Sequence, residues 1–231
     1  MGWKEYYQIC PESYYCRFGR GLLKRVLGES SRSPLAKKES LKLVLGGFSP
    51  HSATASAFVS DCFRLRPQKR DEIYLLDLNY QPLKAFRFPY LPEEKKLACL
   101  QADLAKMPFG NKSLDLIWLD GTSGFMNNEE LASFGKEADR TLNKEGIVVS
   151  IFHEPLFSFL PSSRFSSDSF ANQTRVYPRS AKGALSLLKD LKLVWHLESN
   201  NETALVLASR DSFYRSFSGL PYALETLSGN D

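Results

Sequence analysis

At 231 residues, 43% of them hydrophobic, the chain is long enough to bury a substantial core as one domain, which excludes a disordered protein. No apolar run approaches the ~18 residues of a membrane-spanning helix, and the start MGWKEYYQICPE lacks the basic and apolar regions of a signal peptide. The net charge of +4 is uneven: residues 1–42 hold nine Lys and Arg against four Glu, so the whole positive excess lies there, either as the solvated side of a helix or as a surface for a phosphorylated or RNA partner.

The first 30 residues read as an amphipathic helical segment, with Tyr6, Tyr7, Tyr14, Tyr15, Phe18, Leu22, Leu23, Val26 and Leu27 interleaved with bases, and Ser30–Pro34 follows as a loop. Leu41–Leu45 is the first predicted strand, followed by a turn at Gly46–Pro50 and a small-residue helix from about Ser52 to Phe63. Ile73–Leu78 is the second strand, with a short helix around Pro82–Phe86. Leu97–Ala102, with Cys99 expected to be buried, and Leu114–Leu119 are the third and fourth strands. Asn127–Leu142 is a helix ended by Asn143-Lys-Glu-Gly146, and Ile147–Phe152 is the fifth strand. Near-continuous apolar strands alternating with helices predict a parallel sheet covered on both faces. Residues 153–179, with Phe157, Phe159, Phe165 and Phe170 among serines, break the rhythm and predict a long insertion above the sheet. Ser180–Leu188 is helical. Leu191–Glu198 and Glu202–Ser209 are then joined only by Ser199-Asn200-Asn201, too short a link to cross the sheet, so these strands must be antiparallel. Cys10, Cys16, Cys62 and Cys99 show no metal-ligand spacing, and a reduced, cytoplasmic chain without a metal is the expectation.

In an open α/β sheet ligands bind beyond the carboxyl ends of the strands. The first turn, Gly46-Gly47-Phe48-Ser49-Pro50-His51, allows close backbone approach and points N–H groups toward an anionic ligand group. It is not a P-loop, since no Gly-Lys-Ser/Thr follows, and it lacks the G-x-G-x-x-G of a nicotinamide oxidoreductase. Asp77, ending the second strand, suits the two hydroxyls of a ribose, or else a capping role that Asn79 fills equally well. Asp103, ending the third strand, suits an exocyclic amine or a turn. Asp120 ends the fourth strand as part of an Asp-Gly turn, and His153 and Glu154 follow the fifth.

At these residues the chain resembles the class I S-adenosylmethionine-dependent methyltransferases. LQADLAKMPFGNKSLDLIWLD (100–120) is similar to that family's adenine-side motif: an acid, a Met-Pro-Phe, and a Ser-hydrophobic-Asp leading into the fourth strand. IYLLDLNYQPL (Ile73–Leu83) resembles its acidic second-strand motif, and TLNKEGIVVSIF (Thr141–Phe152) its Thr-Leu-Lys-Pro-Gly-Gly stretch. ETALVLASR resembles its antiparallel last strand. The resemblance covers about residues 41–152 and 180–210. It implies a three-layer α/β sandwich with a seven-stranded, mostly parallel sheet and an antiparallel C-terminal hairpin. A helical cap (1–40) would precede the domain (41–210), with 153–179 over the active site and a tail (211–231) after it.

The cofactor implied is S-adenosylmethionine. Gly46, Gly47, Phe48, Ser49 and His51 would hold its methionine part, Asp77 with Leu78 and Asn79 its ribose, and Asp103 with Leu104 its adenine. Asp120 would stand at both cofactor and acceptor, with Asp120 and His153 the expected catalytic residues and Glu154 and His51 further candidates. The chain departs from the family's first motif: Leu45 stands in place of an acid, and Ser49 and His51 in place of the second and third glycines. Asp-Gly-Thr-Ser at 120–123 replaces the Asn-Pro-Pro-Tyr of base-amine methylation. A small molecule methylated at O or N is the expected acceptor. An RNA or protein methyltransferase using the basic segment, and a non-catalytic domain with a degenerate first motif, are the alternatives.

Overall fold

The computed structural model describes residues 19–28, 33–47, 54–88, 91–153, 180–199 and 202–212. In chain order the elements are α1 (Arg20–Leu27), α2 (Pro34–Lys37), β1 (Lys42–Gly46), α3 (Thr54–Leu65), β2 (Glu72–Asp77), α4 (Tyr80–Ala85) and β3 (Lys96–Gln101). They continue with β4 (Leu114–Asp120), a 3-10 turn at Thr122–Gly124, α5 (Asn128–Thr141), β5 (Leu142–His153), α6 (Ala181–Leu187), β6 (Leu191–Ser199) and β7 (Glu202–Ser209). The expected helix before residue 19, the candidates Phe48, Ser49, His51 and Glu154, the rest of the insertion to 179, and the tail beyond 212 lie outside the described residues.

Seven strands form one sheet in the order β3-β2-β1-β4-β5-β7-β6. The pairs from β3 to β5 are parallel. β7 runs antiparallel between β5 and β6, so the sheet closes in the expected hairpin. One face packs α1 and α3 around a core that includes Leu43, Leu45, Ile73, Leu75, Leu116 and Trp118. The other face packs α5 and α6 over Val44, Leu76, Ile117, Leu119, Val148 and Leu205. The helices dock through the stripe that a period of 3.6 residues dictates. In α3 it is Ala55, Phe58, Val59 and Cys62, and in α5 it is Leu131, Phe134 and Ala138. Phe58 meets Trp118 at 5.6 Å between ring centroids. Each wholly buried Leu of this kind contributes about 1.5–3 kcal/mol of apolar transfer. Asn127 begins α5 with a capping box: its side chain accepts from the Glu129 and Glu130 amides, and Glu130 accepts from the Asn127 amide.

Two expectations need correction. Cys99 is exposed, because β3 is an edge strand with a partner on one side only. Asn143–Gly146 is not a turn ahead of the fifth strand, because β5 begins at Leu142, directly after α5. Along this stretch β5 advances from Leu142 to Ile147 while β4 advances only from Leu114 to Leu116, which makes the segment a bulge inside the strand. Asp115 anchors the bulge. Its carboxylate accepts from Asn143 Nδ2 (2.7 Å), the Lys42 amide (2.7 Å) and Lys38 Nζ (2.7 Å).

At the amino ends of the strands Asp71, Arg66 and Lys95 form a buried charge cluster. Burial lowers the pKa of Lys95 against the pull of Asp71. Burial also pushes the nearby Cys62 thiol well up, with Asp71 adding to the effect, which makes it a packing residue rather than a nucleophile. No helix among the described residues is long and apolar enough to cross a membrane.

Candidate functional site

The strand order reverses between β1 and β4: β2 and β3 lie to one side, β5 and the hairpin to the other. Such a reversal opens a crevice at the carboxyl ends of the two central strands, where ligands of open α/β sheets bind.

On the β1 side the crevice starts with Gly46 and Gly47. Gly47 has φ +65°, and its amide donates to Leu76 O (2.7 Å), which extends the β1–β2 pairing by one bond before the turn. A Cβ at Gly47 would lie 2.5 Å from Thr122 Cγ2, and one at Gly46 would lie 2.6 Å from Leu104 Cδ2. Gly47 therefore demands glycine, by its left-handed φ and the Thr122 contact, whereas at Gly46 the Leu104 and Leu119 side-chain ends would have to shift. From the β4 side the Thr122 hydroxyl donates across the crevice to Gly46 O (2.7 Å) and Gly47 O (3.0 Å). The Thr122–Gly124 turn that carries it is held by the Gly121 amide on Ile151 O (2.9 Å) and by Ser150 Oγ, which donates to Ser123 Oγ (2.9 Å).

Asp120, the last residue of β4, is half-buried. It accepts at Oδ2 from the hydroxyl of Thr54, the first described residue of α3 (3.1 Å). Asp77 ends β2, and its Oδ1 accepts from the Asn79 amide (2.7 Å), forming an Asx turn that aims the chain into α4. Leu78, beside it, is 68% exposed, a large apolar side chain left at the rim. The Ala102 amide donates to Asp77 O (3.1 Å), which draws Asp103 to the neighbouring strand tip. Asp103 Oδ1 accepts from the Ala105 amide (2.8 Å) in a second Asx turn.

The expected site residues Gly46, Gly47, Asp77, Leu78, Asn79, Asp103 and Asp120 thus lie at the carboxyl ends of four adjacent strands. Leu104 instead packs into the core beneath Gly46, 7% exposed, because the turn at Asp103 directs it inward. His153 closes β5 opposite Glu202 of β7, two residues beyond the pairing of Ile151 with Asp120. No group of His, Cys, Asp and Glu among the described residues is arranged to hold a metal ion.

Three residues that pattern reading passes over complete the site: Thr54, Thr122 and Glu137. Glu137 of α5 accepts from the Met107 amide (2.7 Å) and pairs with Arg140 (2.6 Å), so it pins the Met107-Pro108-Phe109 loop that follows Asp103. No local pattern points to it, since Glu137 lies 30 residues beyond Met107 with β4 between them. Glu137→Ala is expected to destabilise the protein by about 1–3 kcal/mol, the cost of leaving a buried amide without its charged acceptor. Urea unfolding reads the stability, and hydrogen exchange at the Met107 amide should quicken. An unchanged exchange rate would show that another group holds the loop.

Residues 54–150 match a protein family described as a methyltransferase domain. No curated protein sequence matches the chain. Among solved structures the fold is similar to that of a protein from Pyrococcus horikoshii, at 18% identity and a TM-score of 0.60, over 90% of this chain and 100% of that one. It is similar to a SAM-dependent methyltransferase from Methanosarcina mazei at 10% identity and 0.54, over 74% and 94%. A third is geranyl diphosphate C-methyltransferase from Streptomyces coelicolor, solved with Mg2+, geranyl diphosphate and S-adenosyl-L-homocysteine, at 11% and 0.55, over 83% and 77%. At these identities the likeness is one of fold.

Proposed function

We propose that the chain, whose residues 54–150 match a methyltransferase domain, is a class I S-adenosylmethionine-dependent methyltransferase that transfers a methyl group from S-adenosylmethionine to an O or N of a small-molecule acceptor. The observation that carries the reading is the grouping of Asp103, Asp77 and the Gly46–Gly47 turn at the carboxyl ends of three neighbouring strands.

The residues present fit an adenosyl ligand. Asp77 Oδ1 accepts from the Asn79 amide, and a carboxylate has acceptor sites enough to take ribose hydroxyls as well. Leu78 offers exposed apolar surface to a base, and Asp103 offers an acceptor to an exocyclic amine. The turn at Gly46 and Gly47 takes the amino-acid end, and Phe48, Ser49 and His51, next in the sequence, are assigned to the same part of the ligand. When bound, the cofactor supplies a methyl group already activated by its sulfonium. The work left to the chain is to orient an acceptor in line with that methyl and to keep water away. Asp120 and His153, ending the adjacent strands β4 and β5, border the acceptor end. The loss of a proton from an O or N nucleophile falls to this border.

Calorimetric titration with S-adenosylhomocysteine tests the assignment. Wild type should bind, and Asp77→Ala and Asp103→Ala should each lose about 1–3 kcal/mol, the usual worth of a hydrogen bond to a charged group. Unchanged affinity in both variants overturns the site, and no binding in wild type overturns the cofactor.

A further inference from the structure

The amino-acid end of S-adenosylmethionine carries an ammonium, and a cation drawn into a half-buried crevice needs a carboxylate or converging carbonyls. β1 provides no such acid: Leu45 is wholly buried between Leu75 of β2 and Trp118 of β4. The carbonyls of Gly46 and Gly47 share the single Thr122 hydroxyl proton and carry no net charge to offset an ammonium.

On the same sheet face an acid stands beside that turn on the β4 side, Asp120, one residue past the Leu119 that pairs with Gly46. Side chains alternate along a strand, and Leu116 and Trp118 of β4 face α3, as Leu43 and Leu45 of β1 do. Asp120 is the next β4 residue on this face, two positions beyond the Trp118 that pairs with Leu45. Its bond to Thr54 agrees with that direction, since Thr54 lies on α3. By the same alternation Asp77 follows Ile73 and Leu75 on this face of β2. Two carboxylates therefore flank the glycine turn, one on either neighbour of β1. With adjacent strands ~4.8 Å apart, their strands are separated by about 10 Å. That span suits a ligand lying across β1 with its ribose at Asp77 and its amino-acid end at Asp120.

This geometry points to Asp120 as the charge partner of the cofactor's ammonium, with Thr54 as the residue that positions it. The assignment rests on the cofactor reading above and, of the two places expected of Asp120, takes the cofactor rather than the acceptor, which leaves His153 at the acceptor border. Thr54 is 3% exposed and reaches Asp120 with a short, rigid side chain, which restricts the carboxylate rotamer beside the turn. The pair joins the crossover helix after β1 to the tip of β4, across the point where the strand order reverses.

Calorimetry with two probes, S-adenosylhomocysteine and its analogue with hydrogen in place of the α-amino group, separates the outcomes. Wild type should prefer the amino compound by about 10- to 100-fold, the range for a charge-assisted hydrogen bond. Asp120→Asn should lose most of that preference while binding the deaminated analogue within about twofold of wild type. Thr54→Val, which keeps the volume and removes the hydroxyl, should lose part of it, and it serves if Asp120→Asn fails to fold. A wild type without preference overturns the assignment. So does an Asp120→Asn variant that weakens both probes equally, the mark of a structural staple, or that weakens neither and only slows turnover, the mark of a proton acceptor. Failure of wild type to bind either probe overturns the cofactor reading itself.

Discussion

Asp71→Ala is expected to cost about 3–5 kcal/mol of folding stability, the penalty for removing one partner from a buried ionic group. Asp71 is 1% exposed, and its carboxylate accepts from Arg66 Nε (2.9 Å), Arg66 Nη2 (3.1 Å) and the Leu41 amide (2.9 Å), with Lys95 Nζ at 3.6 Å. Its removal leaves two buried cations facing each other. Arg66 also donates to the carbonyls of Leu35 (3.0 Å), Ala36 (3.1 Å) and Lys38 (2.7 Å), and Lys95 donates to those of Arg66 and Lys69. The cluster thus ties α2, the end of α3 and the starts of β1, β2 and β3 into one joint. Glu39→Ala is the control. Glu39 pairs with Lys69 in solvent, and its loss should stay within about 0.5 kcal/mol. Urea unfolding followed by tryptophan fluorescence, to which the buried Trp118 contributes, reads both variants. A cost below about 1 kcal/mol for Asp71→Ala would mean that the cations find other partners.

Gly47→Ala is expected to damage both stability and the site. A left-handed φ costs a residue with a Cβ about 1–2 kcal/mol, and overpacking against Thr122 adds about 1–3 kcal/mol. Relief requires Thr122 to rotate, which breaks its bonds to Gly46 O and Gly47 O and opens the crevice wall. Binding of S-adenosylhomocysteine should therefore fall by about tenfold or more, as about 1–2 kcal/mol of preorganisation is lost. Thr122→Ala in the same chain removes the Cγ2 and Oγ1 contacts at 2.5 and 2.6 Å, and should recover the steric part of the stability loss but not the affinity. At Gly110 a Cβ meets open space, so Gly110→Ala should stay within about 0.5 kcal/mol. Thermal melts and calorimetry on this set decide the matter. Full affinity in Gly47→Ala would mean that the turn is not part of the binding site.

The tips of β2 and β3 are legible in the sequence as candidate site positions, because an acid at the end of an apolar run identifies both the strand and its end. Asp77 and Asp103 hold those places. The burial of Leu104 is not legible from its place after a strand tip. One residue past the strand the chain direction depends on the turn, and here the Asx turn at Asp103 sends it into the core. Asp120 is equally legible as a strand tip, but its hold on Thr54, 66 residues away in sequence, is not. No period or motif encodes that pairing.

The sequence by itself determined the succession of elements, the parallel sheet covered on both faces, and the antiparallel end. Those follow from local rules: a period of two or of 3.6 residues, continuous apolar strands, and a link of three residues that cannot cross a sheet. Only the tertiary structure decided which strand lies at the edge and exposes Cys99, that Asn143–Gly146 folds into a bulge on Asp115, and that Thr122 closes over the glycine turn. It also set Asp77 and Asp120 on one face, on either side of β1. Each of these depends on strand order and register, which bring together residues far apart in the chain, and a local pattern carries no information about them.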